Sequence, residues 1–91
     1  NTKVVDIVEE LEDFGCNVDI YDPWASAEVV KHEYGKELIA AIDPDKAYQA
    51  VIACVSHNQF KTFDFKKYKE QGAVIFDVKD FVDRSVVDGR L

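Results

Sequence analysis

The sequence predicts an α/β fold, a Rossmann-like three-layer sandwich with a mostly parallel sheet and helices on both faces. Segments with helical spacing of apolar residues alternate with short apolar runs along the whole chain. The runs 50–55 and 73–76 are continuously apolar, which is typical of strands buried on both faces. Because such a domain normally opens with a strand and this chain opens with a helical pattern, we expect the first strand to precede Asn1 and to be missing from this piece. The 91 residues suit a single domain covering 1–91.

Three segments have the spacing and the end signals of helices. The first covers 4–14, where Asn1 or Thr2 can cap the start. The second covers 26–34 and the third 64–71, with Ser26 and Asp64 as N-caps. Each is followed by a residue suited to a left-handed stop; these are Gly15, Gly35 and Gly72.

The remaining apolar segments predict strands. Residues 16–21 alternate apolar and polar side chains, and Asp22-Pro23 ends that pattern because proline removes a backbone donor. Residues 36–42 form a second, weaker candidate. Asp43-Pro44 predicts either a turn or a helix start leading into 46–49. The two buried runs at 50–55 and 73–76 complete the predicted sheet.

Charge and composition exclude several classes of protein. The net charge of −7, without a basic stripe, argues against a nucleic-acid partner. No apolar run approaches the length of a membrane span or a signal peptide, so we expect neither membrane insertion nor export. Cys16 and Cys54 each lie in an apolar run, and we interpret them as small core residues in a reducing, cytoplasmic compartment.

Polar clusters follow the two buried runs. Ser56-His57-Asn58 comes after the first and Asp77-Val78-Lys79 after the second. Parallel strands bring such clusters to one edge of a sheet, where ligands bind in open α/β folds. Lys79 would offer charge to an anion, and Ser56 and Asn58 would hydrogen-bond a ligand. The alternative is a polar loop with solvated side chains.

The C-terminal tail carries Arg84 and Arg90 close to Asp83 and Asp88. Solvated ion pairs of little energetic value are the default interpretation of such a tail. A phosphate contact is the sharper alternative, and we include Arg90 as the weaker second candidate for it.

No catalytic, cofactor-binding or metal-ligating residue is predicted. A Gly-x-Gly-x-x-Gly or Walker loop is missing, and neither cysteine follows a strand beside a base. His57 suits a structural hydrogen bond better than acid–base chemistry. A receiver-like or magnesium-dependent site built on Asp22 or Asp77 is a weaker alternative. Trp24, next to a turn, suits core or interface packing better than stacking on a base.

Several segments together resemble a known family, and the resemblance covers nearly the whole chain. They are Asn-Thr-Lys-Val-Val-Asp-Ile-Val at 1–8, Val-Asp-Ile-Tyr-Asp-Pro-Trp at 18–24, Glu-Tyr-Gly at 33–35, Ala-Val-Ile-Ala-Cys-Val-Ser-His-Asn-Gln-Phe at 50–60, Val-Ile-Phe-Asp-Val-Lys at 74–79 and the ending Val-Asp-Gly-Arg-Leu. Their order and spacing resemble the C-terminal domain of the UDP-glucose/GDP-mannose dehydrogenase family, and are most similar to its bacterial branch acting on UDP-N-acetyl-hexosamines.

The resemblance implies a UDP-binding domain within a larger NAD-dependent enzyme. That enzyme would oxidise the C6 hydroxyl of a UDP-sugar to a uronate. NAD and the catalytic residues would belong to preceding NAD-binding and central domains, so the isolated piece is expected to be inactive. The resemblance also implies that the full enzyme is a homo-oligomer. Lys79 matches the position where many relatives carry an arginine that reaches the nucleotide sugar. The Thr-Phe-Lys strand of the family is absent here, in agreement with the expected missing strand.

An interaction module of a different class remains open. Trp24, Phe81 and an aromatic content of 12% would suit a non-catalytic α/β domain that docks on a partner domain or subunit. The two readings can coexist in one protein.

Overall fold

The computed structural model describes residues 2–56 and 58–90, with the side chains of Thr2, Lys3 and Arg90 outside the description. Two compact units divide the chain, 1–44 and 45–91. Whether they make one domain stays a prediction. No helix in the described part of the chain is long and apolar enough to cross a membrane. The elements, in order, are α1 (Thr2–Asp13), α2 (Ala27–Tyr34), β1 (Ala50–Ala53), α3 (Asn58–Lys61), α4 (Phe65–Glu70), β2 (Val74–Asp77) and β3 (Gly89–Arg90).

The helices of the first unit confirm three predicted cap and stop residues, Gly15, Ser26 and Gly35. After α1, Gly15 adopts a left-handed φ of 89°, which a residue without a Cβ adopts at little cost. At the start of α2, the Ser26 hydroxyl accepts a hydrogen bond from the Val29 N–H at 3.3 Å. Gly35 ends α2 with φ 68°, and its N–H donates to the Lys31 carbonyl. The cap and stop residues predicted for α2 are thereby confirmed, whereas the Asn1 cap candidate of α1 lies outside the described residues.

The two strands predicted in the first unit were wrong in extent. Segments 16–21 and 36–42 meet through a single parallel bridge between Ile20 and Leu38. The Ile39 N–H donates to the Ile20 carbonyl at 2.9 Å. Cys16 is exposed, so its prediction as a core residue was also wrong. An alternating pattern becomes a strand only where a neighbouring segment pairs along it, and here the pairing stops after one bridge.

One ion pair links α1 to the segment after α2. The Lys36 ammonium lies 2.7 Å from a Glu12 carboxylate oxygen. This hydrogen bond raises the pKa of Lys36, with added attraction from neighbouring acidic side chains of α1. Val8 is buried on α1, whereas Phe14 is 84% exposed although its spacing placed it on the apolar face.

The second unit contains a parallel three-stranded sheet in the order β1-β2-β3. Ala53 aligns with Asp77 across the β1–β2 pair, and Asp77 aligns with Arg90 across the β2–β3 pair. This confirms the predicted α/β class with a parallel sheet. Helix α4 matches the predicted third helix, and the Asp64 carboxylate accepts from the Lys67 N–H at 3.1 Å.

Other details of this unit differ from the sequence predictions. Residues 44–45 form a turn, and no helix occurs at 46–49, so the turn alternative holds there. The sequence predicted neither the one-turn helix α3 nor the two-residue strand β3. Elements this short carry too few residues for a periodic pattern to be seen.

The strands are not buried on both faces, contrary to the prediction. In β2, Ile75 and Asp77 have 0% exposure, whereas Val74, which points the other way, is 53% exposed. Successive side chains of a strand lie on opposite faces. Helix α4 packs against β2, while Val74 remains half open to solvent.

An aromatic cluster joins α4 to the segment that follows β2. Phe63 stacks on Tyr68 with ring centroids 5.4 Å apart. The Phe65 ring packs edge-to-face with the rings of Phe63 and Phe81, at centroid distances of 4.7 Å and 6.1 Å. Such offset and edge-to-face pairs stabilise a core beyond the burial of area alone, and they hold the segment after β2 against the helix.

Candidate functional site

The parallel register brings the ends of all three strands to one edge of the sheet. Ala53, Asp77 and Arg90 occupy aligned positions on β1, β2 and β3. The Val78 N–H also donates to the Ala53 carbonyl at 2.9 Å. We call the residues at and just beyond these positions, 54–56, 58, 77–82 and 90, the carboxyl edge. This is the arrangement that the predicted ligand site requires.

Asp77 organises the loop at this edge. It is completely buried. One carboxylate oxygen accepts the N–H groups of Lys79 and Asp80 at 3.0 Å each. The other accepts those of Phe81 and Val82 at 2.7 Å each. The carboxylate therefore acts as the common acceptor of the whole turn, with Asp80 in a left-handed conformation at φ 59°.

This geometry disfavours the receiver-like alternative for Asp77. Both of its oxygens accept hydrogen bonds from the backbone of its own loop, and the residue has no exposed surface from which to attack a phosphodonor. Among the described residues, no group of three or more His, Cys, Asp or Glu side chains could hold a metal ion. Sequence reasoning noticed Asp77 but did not predict its structural role.

Lys79 is exposed at the carboxyl edge. Its backbone N–H donates to Asp77, so the loop fixes the main chain from which the side chain projects. No described carboxylate lies within ion-pair distance of its ammonium group. A fixed backbone and an uncompensated cation suit a site for an anionic group.

The other predicted ligand residues also lie at this edge. Ser56 is exposed beyond the end of β1, and Asn58 is the exposed first residue of α3. The backbone of Arg90 lies beside Asp77 in β3. His57, between Ser56 and Asn58, lies outside the described residues. All four predicted residues therefore belong to, or follow, strands that end at this edge, and their contact with a ligand stays a prediction.

Asp88 is a residue whose role the sequence did not show. Its backbone N–H donates to the Ile75 carbonyl at 2.8 Å. Its carboxylate accepts the Ile75 N–H at 2.8 Å and the Lys69 ammonium at 2.8 Å. The Lys69 hydrogen bond, followed by that from Ile75, lowers the pKa of Asp88. The default expectation of a solvated ion pair with a tail arginine was therefore wrong for this carboxylate.

Asp88 should make stability depend on pH in the acidic range. Because its folded pKa is lowered, its contribution is complete above the unfolded value of about 3.9 and disappears as pH falls through the folded pKa. We expect Asp88→Asn to lower the melting temperature at neutral pH and to lose that difference in acid. Thermal melts of both proteins across that range would test this, and a constant difference would contradict it.

The pKa values of Asp83 and Cys54 are also shifted, in opposite directions. The N–H and hydroxyl of Ser85 donate to Asp83 at 2.9 and 2.8 Å and lower its pKa. Asp83 is therefore bound within its own turn, and Arg84 is exposed beside it. Burial raises the pKa of Cys54, which disfavours the thiolate that a catalytic cysteine needs.

A cleft of about 330 Å³ opens between the start of α4 and the segment after β2. Its walls combine aromatic rings with charged groups; they are Phe60, Lys61, Phe63, Asp64, Phe65, Lys66, Phe81, Val82, Asp83, Ser85 and Val86. Clefts of this size hold small molecules in other proteins. The cleft adjoins the carboxyl edge through Phe81 and Val82, whose N–H groups bind Asp77.

Comparison with known proteins decides the family. Residues 1–84 match the model of the UDP-glucose/GDP-mannose dehydrogenase family, UDP binding domain. The chain belongs to this family. It is 39% identical over 94 aligned residues to a UDP-N-acetyl-D-glucosamine 6-dehydrogenase of Pseudomonas aeruginosa, with all of this chain covered. It is 36% identical to the enzyme of the same name from Salmonella typhi, again over the whole chain.

A more distant relative is the protein CapL of Staphylococcus aureus, 29% identical over 91% of this chain. The chain spans 22% of the length of the first two relatives and 20% of CapL. No solved structure matches the chain significantly. The family resemblance read from the sequence motifs is confirmed, and the UDP-binding domain is the part of the family to which this chain corresponds.

Proposed function

We propose that this chain binds the UDP part of a UDP-sugar for an NAD-dependent 6-dehydrogenase, with a UDP-N-acetyl-hexosamine as the sugar nucleotide. The enzyme would oxidise the C6 hydroxyl to a carboxylate, giving a uronate. The observation that carries the proposal is the match of residues 1–84 to the UDP binding domain of the family. The names of the two bacterial relatives support the choice of sugar.

The carboxyl edge is the proposed ligand site. The exposed Lys79 would bind the diphosphate, since no described carboxylate lies within ion-pair distance of its ammonium and its backbone is fixed by Asp77. Ser56 and Asn58 would donate hydrogen bonds, and Arg90 would add a second cation. A guanidinium grips phosphate with two parallel hydrogen bonds, whereas lysine acts as a point charge, so Lys79 would attract the diphosphate more than orient it.

Other parts of the reaction are assigned to protein beyond these residues. NAD would bind in a separate domain, and the catalytic groups would come from there and from a central domain. The proposed partners are those two domains and further copies of the enzyme in a homo-oligomer. A cytoplasmic location belongs to the same proposal.

Titration calorimetry with UDP tests the assignment of Lys79. In the complete natural polypeptide that carries this sequence, we expect Lys79→Ala to weaken UDP binding about tenfold, which is about 1.4 kcal/mol and close to the lower end of what a hydrogen bond to a charged group contributes. Lys79→Arg should keep most of the affinity because it keeps the charge. Uridine, which has no phosphate, should bind equally to wild type and Lys79→Ala.

Lys31→Ala is the matched control. It removes the same charge from an exposed lysine of α2, which pairs with Glu37 at 3.0 Å, and it should leave UDP binding unchanged. Equal UDP affinity of wild type and Lys79→Ala would refute the role of Lys79 and leave the family function intact. A wild-type protein that binds no UDP at millimolar concentration would refute the proposed function itself.

A further inference from the structure

Strand β3 is too short for its backbone pairing alone to fix its position. It has two residues, Gly89 and Arg90, which pair with Phe76 and Asp77 of β2. So short a ladder offers few backbone hydrogen bonds to specify register. A slip by one residue would move every side chain of a strand to the other face. Something beyond the ladder must therefore hold Arg90 at the carboxyl edge.

Asp88 supplies one part of this restraint, since it binds both backbone groups of Ile75. The Asp88 N–H donates to the Ile75 carbonyl, and the Asp88 carboxylate accepts the Ile75 N–H, both at 2.8 Å. The second carboxylate oxygen lies 2.8 Å from the Lys69 ammonium. We call Asp88, Ile75 and Lys69 the β3 clamp. It connects α4, the central strand and the start of β3.

Gly89 supplies the other part. A Cβ at this position would lie 2.9 Å from Cδ2 and 3.0 Å from Cε2 of Phe76, distances at which one of the two residues must shift. A slip in either direction would bring Asp88 or Arg90, which both carry a Cβ, opposite the Phe76 ring. Hydrogen bonds to Ile75 and the close approach of Gly89 thus favour the same register.

We propose that Asp88 is a positioning residue which, through the β3 clamp, holds Arg90 at the carboxyl edge to bind the diphosphate of UDP. The inference rests on the proposed function and adds to it. In the observed register the Arg90 backbone lies beside Asp77, whose carboxylate anchors the N–H of Lys79. The two cations then come from neighbouring strands at one edge, which suits a ligand with two adjacent phosphates. Asp88 itself would not touch the ligand.

A double-mutant cycle on UDP affinity tests the proposal in the complete polypeptide. We expect Arg90→Ala and Asp88→Asn each to weaken UDP binding about fivefold. The protein with both changes should bind no more weakly than Arg90→Ala alone, because Asp88 acts through Arg90. Lys69→Met, which leaves the bonds between Asp88 and Ile75 in place, should weaken binding in the same direction and also lose its effect when Arg90 is alanine.

Asp83→Asn is the control, since Asp83 is an exposed carboxylate in the same connection but bonds to Ser85. It should leave UDP affinity unchanged. If Asp88→Asn does not fold, Lys69→Met decides the question by the same cycle. The inference would be overturned if Asp88→Asn or Lys69→Met still weakened UDP binding in the Arg90→Ala background, or if both variants bound UDP as tightly as the wild type. Either result would leave the role of Lys79 in UDP binding untouched. Absence of UDP binding by the wild type would instead remove the proposed function.

Discussion

Replacing Asp77 with asparagine should lower the free energy of unfolding by about 3 kcal/mol or more. The buried carboxylate accepts four backbone N–H groups, two on each oxygen. An amide keeps one accepting oxygen, so two hydrogen bonds to a charged group are lost at about 1.5 kcal/mol or more each. Since domains of this size have a total stability of about 5–15 kcal/mol, the loss is large. Urea denaturation followed by circular dichroism would measure it.

Glu70→Gln makes the same carboxylate-to-amide change at an exposed residue of α4. We expect it to alter stability by less than about 0.5 kcal/mol. A similar small effect for Asp77→Asn would show that the loop is held by other contacts. Because Asp77 also anchors the Lys79 N–H, the asparagine variant should bind UDP more weakly wherever it remains folded.

Ile75→Ala should destabilise the chain by about 3 kcal/mol. Ile75 has no exposed surface in the central strand, and removing buried methyl groups costs the lost transfer free energy plus that of the cavity left behind. The measurement is again the midpoint of urea denaturation at constant slope.

Val74→Ala is a matched control on the same strand. Val74 is 53% exposed and lies on the opposite face, so its truncation should cost less than about 1 kcal/mol. Equal costs at the two positions would contradict the one-sided burial of β2, and would restore the sequence prediction of a strand buried on both faces.

Local signals account for the elements that the sequence predicted well. Ser26 and Asp64 accept hydrogen bonds from backbone N–H groups three residues later, and Gly15 adopts a left-handed conformation. These are interactions within a few residues, so the sequence contains them directly. The parallel sheet followed from the alternation of helices and apolar runs, which constrains connections between neighbouring strands.

Predictions that depended on distant partners were less successful. The strands expected at 16–21 and 36–42 reduce to one bridge at Ile20, and Cys16 is exposed. Alternation shows that a segment could pair on one side, but pairing needs a second segment in register. The prediction that β2 is buried on both faces failed at Val74 for the same reason. An apolar run does not show whether both faces of its sheet are covered.

For the candidate site, the sequence identified Lys79, Ser56 and Asn58 as residues beyond strand ends and Arg90 as a residue of the C-terminal tail. The parallel register places the ends of β1 and β2 at one edge and brings the Arg90 backbone to it through β3. Their roles as ligand contacts remain proposals. The sequence did not reveal that Asp77 would accept the N–H groups of its own loop or that Asp88 would bind Ile75. Both carboxylates looked like candidates for surface or ligand chemistry.

By itself, the sequence determined the family, the α/β class and the order of strand-end clusters, because motifs, periodicity and caps are properties of neighbouring residues. Only the tertiary structure decided which carboxylates serve the fold. Asp77 gathers a loop and Asp88 connects α4, β2 and β3. A carboxylate has the same charge whether it holds the fold or binds a ligand, so its hydrogen-bond partners decide its role. Those partners can be distant in the sequence, since Lys69 and Asp88 are separated by 19 residues.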